Sequence, residues 1–300
     1  MNPRVAALQT IPRWCQQQEA LEERLLELGQ QARQKGADLL VLPARLGWAL
    51  LGPLLGLSLE APYSFQALAS VGSLAPHKDR IEHAAQQTIA CYQKVAEKLS
   101  IWLVGGSLFR LREGDIYHAT PVISATGEIQ GWQEQTHLSK EEEESLGLTP
   151  GQELRVFPTP AGHLGILLER DVCYPEVGRI LALLGADVFV HQGAWRSNNM
   201  AEWMSRLWRE VQANQTFGIE SPLVGAGYQG QATIHCPCEM TSERCGVLAQ
   251  ARGEGEECLV AELDRAARHQ VIAHYPILAM LNPEMYHHYF PSLYEQMEER

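Results

Sequence analysis

Gly36-Ala37-Asp38-Leu39-Leu40-Val41-Leu42-Pro43 reads as the end of a helix, a short buried strand and a stop. Gly36 supplies the backbone freedom that ends a helix. The run from Leu39 to Leu42 carries no polar residue, as in a strand covered on both faces, and Pro43 cannot donate a further ladder bond. Upstream, Leu21, Leu25, Leu28 and Ala32 recur at helical spacing, preceded by a short strand candidate from Arg4 to Gln9. The same unit returns as a helix from about Ile81 to Leu99 and a strand Ile101-Trp102-Leu103-Val104 that ends on Gly105-Gly106.

Hairpin material follows. Tyr117 to Ser124 and Glu128 to Gln133 flank the tight turn Ala125-Thr126-Gly127. Further strands are expected at Leu154–Phe157, Leu164–Leu168 and Asp187–His191, with a helix from about Glu176 to Leu184 between the last two. A helix from Met200 to about Phe217 is expected to set Met200, Trp203, Met204, Leu207, Trp208 and Val211 on one broad face. Strand-like pieces near Leu223–Gly227, Ala232–His235, Gly246–Gln250 and Leu259–Leu263 complete the body. Strand–helix units alternating with hairpins predict a mixed α/β layered fold rather than a purely parallel one. No long Gly/Ser- or Pro-rich linker divides the chain, so one domain over residues 1–275 is expected, with 276–300 as a C-terminal extension.

The formal net charge of −12 over 300 residues argues against nucleic acid or an anionic membrane as partner, since both require clustered Lys and Arg. The Leu-rich stretch from Ala49 to Leu59 is broken by Gly52, Pro53 and Gly56 and is too short to span a bilayer. No apolar stretch near the start is flanked like a signal peptide, which makes a cytoplasmic protein the expectation. Seven scattered cysteines then read as free thiols. Cys236-Pro237-Cys238 with Cys245 and Cys258 does not match a familiar zinc spacing, and small buried residues in strands are expected there instead of a metal.

Taken together, these segments resemble the nitrilase superfamily of carbon–nitrogen hydrolases over nearly the whole chain. Val5–Thr10 is similar to the family's opening strand, and Gly36–Pro43 to the segment that delivers a catalytic Glu. Gly114–Thr120 with Gly127-Glu128-Ile129 resembles the hairpin before a catalytic Lys. Gly165–Asp171 followed by Tyr174-Pro175-Glu176 resembles the nucleophile elbow, and Gly185–Trp195 and Asn214-Gln215 match later landmarks. The resemblance implies a four-layer α-β-β-α sandwich and a homodimer or larger homo-oligomer. Pairing is expected through the helices after the elbow and a tail with Tyr286, His287, His288, Tyr289 and Phe290. No cofactor is expected.

In that family a Cys thiolate attacks the amide or nitrile carbon, a Glu moves protons and a Lys stabilises the developing charge. Carried over by position, the resemblance puts Ala44 at the Glu, Gln135 at the Lys and Glu169 at the Cys. Ala44 accepts no proton, Gln135 carries no charge, and a carboxylate attacks an unactivated amide poorly. The expectation is therefore a non-catalytic binding, scaffold or regulatory protein, with a small-molecule ligand or a protein partner.

The alternative is an amidase-like hydrolase of a small amide or nitrile, rewired to use Cys173 as nucleophile or one of Glu141–Glu144 as base. The expected pocket residues are Glu169, Arg170, Gln135, His137 and Trp195, with Arg170 turned inward to pair with Glu169. His137 is read as structural. Trp48, Leu50, Leu51, Leu54, Leu55, Leu57 and Leu59 are expected to fill the former pocket.

Overall fold

The computed structural model describes residues 2–298. Its strands are β1 (Arg4–Gln9), β2 (Leu39–Val41), β3 (Trp102–Val104), β4 (Leu108–Arg112), β5 (Asp115–Ile123), β6 (Ile129–Glu134), β7 (Val156–Thr159) and β8 (Gly162–Leu168). They continue as β9 (Val188–Gly193), β10 (Phe217–Pro222), β11 (Val224–Gly225), β12 (Tyr228–Gln229), β13 (Thr233–His235), β14 (Val247–Gln250) and β15 (Glu257–Glu262). One sheet runs β15-β1-β2-β3-β5-β4 with β6 also on β5, and a second runs β14-β13-β10-β9-β8-β7. The pairs β1–β2, β2–β3, β8–β9 and β9–β10 are parallel, and hairpins and return strands supply the antiparallel edges.

Alternation along each strand builds the layers. Val5, Ala7, Leu39, Val41 and Val104 face Leu164, Ile166, Val188, Val190, Phe217 and Ile219 between the two sheets. Ala6, Leu8, Leu40, Leu42 and Leu103 point the other way, onto Leu21, Leu25, Ile81 and Val95 of the helices Gln18–Gln34 and Lys78–Leu99. Leu167 and Phe189 meet Val177, Leu181, Leu207 and Val211 on the far side. Both faces of the central strands are covered, which is why they are apolar without interruption. The result is the four-layer α-β-β-α sandwich.

Three local expectations change. The segment from Met200 is not one helix: it runs as Met200–Trp203, a wide π turn over Met204–Trp208, and Arg209–Asn214, with Gln215 left-handed and Phe217 already in β10. The wide turn rotates the face, so Trp203, Leu207 and Val211 are buried while Met200 and Met204 are exposed. The cysteines near 236–258 differ among themselves. Cys236 and Cys258 are buried, but Cys238 is half-buried in a 3-10 turn and Cys245 is exposed.

The Leu-rich loop packs into the core under the Lys78–Leu99 helix. Trp48, Leu50, Leu51 and Leu55 are buried there, Leu54 and Leu57 are half-buried and Leu59 is exposed. No helix among the described residues is long and apolar enough to cross a membrane. The chain ends in a helix Pro283–Glu298, and residues 299 and 300 of the expected extension lie outside the described residues.

Candidate active site

Several strands of both sheets send their following residues to one place. Arg45 comes four residues after β2, Gln135 directly after β6, Glu169 directly after β8 and Ala194 directly after β9. The carboxyl ends of parallel strands are where α/β sheets ordinarily hold ligands. Here they surround an open cavity of about 290 Å³ lined by residues that include Arg45, Phe65, Ser139, Glu142, Glu169 and Trp195. The Leu-rich loop therefore does not close the site, because its side chains are drawn into the helix-facing core instead.

Glu169 is buried and holds Arg45, with Arg45 Nε donating to its Oε1 at 2.5 Å and the Ala194 amide donating to Oε2 at 3.3 Å. Arg170, expected as the partner, is exposed. It lies on the cavity rim without pairing to Glu169, which takes a left-handed turn at φ 51° and is met instead by Arg45 from a left-handed position of its own at φ 61°. Each such non-glycine residue costs about 1–2 kcal/mol. Burial alone would lower the Arg45 guanidinium pKa, and the groups facing it, Glu169 foremost with Tyr228 and Glu142, together more than offset this and raise it. The guanidinium also lies 5.1 Å from the Trp48 ring centre. Among the described residues, its two terminal nitrogens have no hydrogen-bond partner.

Glu142 is the second buried carboxylate. The Glu141–Ser145 stretch coils as one wide π turn that buries Glu142 and leaves Glu141, Glu143 and Glu144 exposed. Its Oε2 accepts from Ser139 N at 2.7 Å and from Gln135 Nε2 at 3.5 Å. Among the described residues, no cationic side chain pairs with it.

Gln135 is buried beneath the cavity. Its Nε2 donates to His137 O at 2.8 Å, and its Oε1 lies 2.7 Å from His118 Nδ1. On the other side of that ring, His118 Nε2 lies 2.7 Å from Ser107 Oγ, which accepts from Arg45 N at 2.7 Å. Burial pushes the His118 imidazole below its ordinary pKa even though it faces Glu169 and Glu142. Ala44 is fully buried.

His137 stacks on Tyr174 at 3.7 Å, and its backbone N–H donates to Asp171 at 2.8 Å. Asp171 also accepts from Thr136 N and Oγ1, which ties the end of β6 to the turn that carries Glu169. His137 thus braces the site from outside the cavity lining. Trp195 does line the cavity, and a Cβ on Gly193 would fall 2.3 Å from its Nε1, so only glycine allows that indole to fold back.

Cys173 ends the short 3-10 turn that begins at Glu169, is exposed and stands outside the cavity lining. Partial burial raises its thiol pKa, against the opposing pull of Arg170, Arg209 and Arg206.

Below the site, fully buried His191 and His235 flank Glu220 at 3.3 and 3.5 Å, and His191 Nε2 reaches Glu169 O at 3.3 Å. Burial would raise the Glu220 pKa, but hydrogen bonds from His191 and His235 win and hold it at about 2, below the ordinary 4.5. A lowered folded-state value stabilises the fold above the unfolded value, and that contribution is lost as pH falls through the folded one. The difference in thermal midpoint between the wild type and Glu220→Gln is therefore expected to be constant above about pH 5 and to shrink as pH falls toward 2. A difference that instead grows with acidification would refute this linkage.

The description "Carbon-nitrogen hydrolase" fits a family model that matches residues 4–273. The chain belongs to that family of the nitrilase superfamily. It is 24% identical over 274 residues to deaminated glutathione amidase of Rattus norvegicus, covering 87% of this chain and 77% of that protein. It is 25% identical over 195 residues to the probable hydrolase YhcX of Bacillus subtilis, covering 62% of this chain but only 38% of that longer protein. A mutant amidase from Nesterenkonia sp. AN1 in complex with acrylamide superposes with a TM-score of 0.74 at 18% identity, over 96% of this chain and 97% of that one.

These matches correct the expectation of a non-catalytic binding, scaffold or regulatory protein. The family is one of hydrolases, and the relatives are named as an amidase and a probable hydrolase. The expectation rested on three positions taken singly. It set aside the possible base among Glu141–Glu144 and did not consider Arg45, yet Arg45 and Glu142 bring a cation and a carboxylate to the same cavity.

Proposed function

We propose that this protein is an amidase-type carbon–nitrogen hydrolase that cleaves a small amide by direct attack of water. One observation carries the reading. A single open cavity holds a buried carboxylate, Glu142, beside the Arg45 guanidinium, and among the described residues Glu142 has no cationic partner and the terminal N–H groups of Arg45 have no acceptor. Glu142 takes a proton from water as the new C–O bond forms at the amide carbon. Arg45 stabilises the negative charge that moves onto the amide oxygen, and Glu169 keeps the guanidinium aimed inward. Collapse breaks the C–N bond, and the proton held by Glu142 passes to the departing nitrogen, giving a carboxylic acid and ammonia.

A thiol has no part in this route, consistent with Cys173 standing outside the cavity lining with a raised pKa. Purified protein is expected to release ammonia from at least one member of a panel of small aliphatic amides. Cys173→Ala is expected to match the wild type within about twofold. Absence of release across the panel would overturn the hydrolase reading, and loss of release in Cys173→Ala would overturn the direct-water route.

A further inference from the structure

We infer that Ser107, His118 and Gln135 form a one-directional hydrogen-bond chain that orients Glu142, with His118 fixed as the neutral Nδ1–H tautomer. The orientation is set from the carboxylate end. Gln135 Nε2 faces two acceptors, His137 O at 2.8 Å and Glu142 Oε2 at 3.5 Å, so the amide cannot be turned over without setting oxygen against oxygen. Its Oε1 must then accept, and the atom 2.7 Å away, His118 Nδ1, must carry the proton.

The other ring nitrogen is settled independently. Ser107 Oγ already accepts from Arg45 N, so its own hydrogen needs an acceptor, and His118 Nε2 stands 2.7 Å away. Ser107 is 0% exposed and His118 is 1% exposed, so water cannot substitute at either end. The opposite tautomer would set two lone pairs against each other at Gln135 and strand the Ser107 hydrogen. Trp48 and Phe109 pack on the imidazole at 5.6 and 5.7 Å and hold its plane. Each link has one polarity, from the Arg45 amide to the Glu142 carboxylate. Ser107, His118 and Gln135 stand outside the lining of the active-site cavity and act as positioning residues.

The test uses the full chain with ¹⁵N-labelled histidine, the His118 signals being assigned by their loss in His118→Phe. The proton is expected on Nδ1, with Nε2 bare, at pH 7. A proton on Nε2, alone or with Nδ1, would overturn the inference. A kinetic arm rests on the hydrolase reading. His118→Phe is expected to lower kcat by on the order of tenfold to a hundredfold with KM nearly unchanged. His118→Asn, whose amide nitrogen stands where Nδ1 stood, is expected to recover much of that loss, and His118→Gln, which copies Nε2, is not.

Should His118→Phe fail to fold, Gln135→Leu cuts the next link, and the same kcat loss at steady KM is expected. Unchanged kcat in these variants would overturn the positioning role. Absent turnover in the wild type would sink the hydrolase reading, while the tautomer would still decide the chain.

Discussion

Glu142→Gln is expected to lower ammonia release at least a hundredfold while the protein folds and melts as the wild type does. The substitution keeps the shape of the side chain, and its oxygen can still accept from Ser139 N, the bond that seats the residue at 2.7 Å. It removes only the ability to take up and return a proton, a function worth ~10²- to 10⁴-fold in rate. Glu143 and Glu144 cannot replace it, because the wide turn points them to solvent outside the cavity lining, and Glu141, which reaches the cavity rim, is exposed and fully hydrated. Glu143→Gln is therefore the matched control and should leave turnover unchanged. Progress curves with the best amide of the panel decide the matter, and a Glu142→Gln rate within twofold of wild type would remove Glu142 from the mechanism.

Arg45→Met should lose about 3 kcal/mol of stability or more, seen as a fall in thermal midpoint on the order of 5 °C. Methionine fills much of the same space, so the loss comes from charge rather than volume. Glu169, 4% exposed, is left without its cationic partner and with only the Ala194 amide to hold it. Breaking one side of a buried pair in this way costs about 3–5 kcal/mol, and the 13% exposure of the Arg45 side chain favours the low end. The double variant Arg45→Met/Glu169→Gln removes both charges and is expected to regain most of the loss. If the double variant melts no higher than Arg45→Met alone, the pair is not the origin of the effect.

The positions of the central strands and a layered α/β fold were legible in the sequence because those strands are covered on both faces, while their order within the sheets was not. Leu39–Val41 and Leu164–Leu168 announce this with unbroken apolar runs. The hairpin at Ala125-Thr126-Gly127 was equally plain, since one glycine at φ 80° closes it. The site was only half legible. Glu169, Gln135 and Trp195 stand where the pattern put them, at strand ends or in the cavity wall.

Arg45 and Glu142 were missed as a set, for separate reasons. Arg45 enters the site only because its backbone turns left-handed, which nothing in an Arg codon position advertises. Glu142 is one of four identical neighbours, and only the pitch of the turn chooses which one is buried. The helix after Met200 was misread for a related reason: a single wide turn shifts its buried face without any glycine or proline to mark the place.

Arg45 follows a strand of the first sheet, and Glu169 follows a strand of the second, 124 residues later in the chain. Neither half of the polypeptide contains the cavity, so it is absent from any nascent chain whose second sheet has not yet emerged and docked. Contacts of such long reach form late, after loop-closure entropy has been met by the rest of the fold. A small molecule that occupies the cavity therefore acts as a rivet across the sandwich, favouring the docked sheets over every partly assembled form.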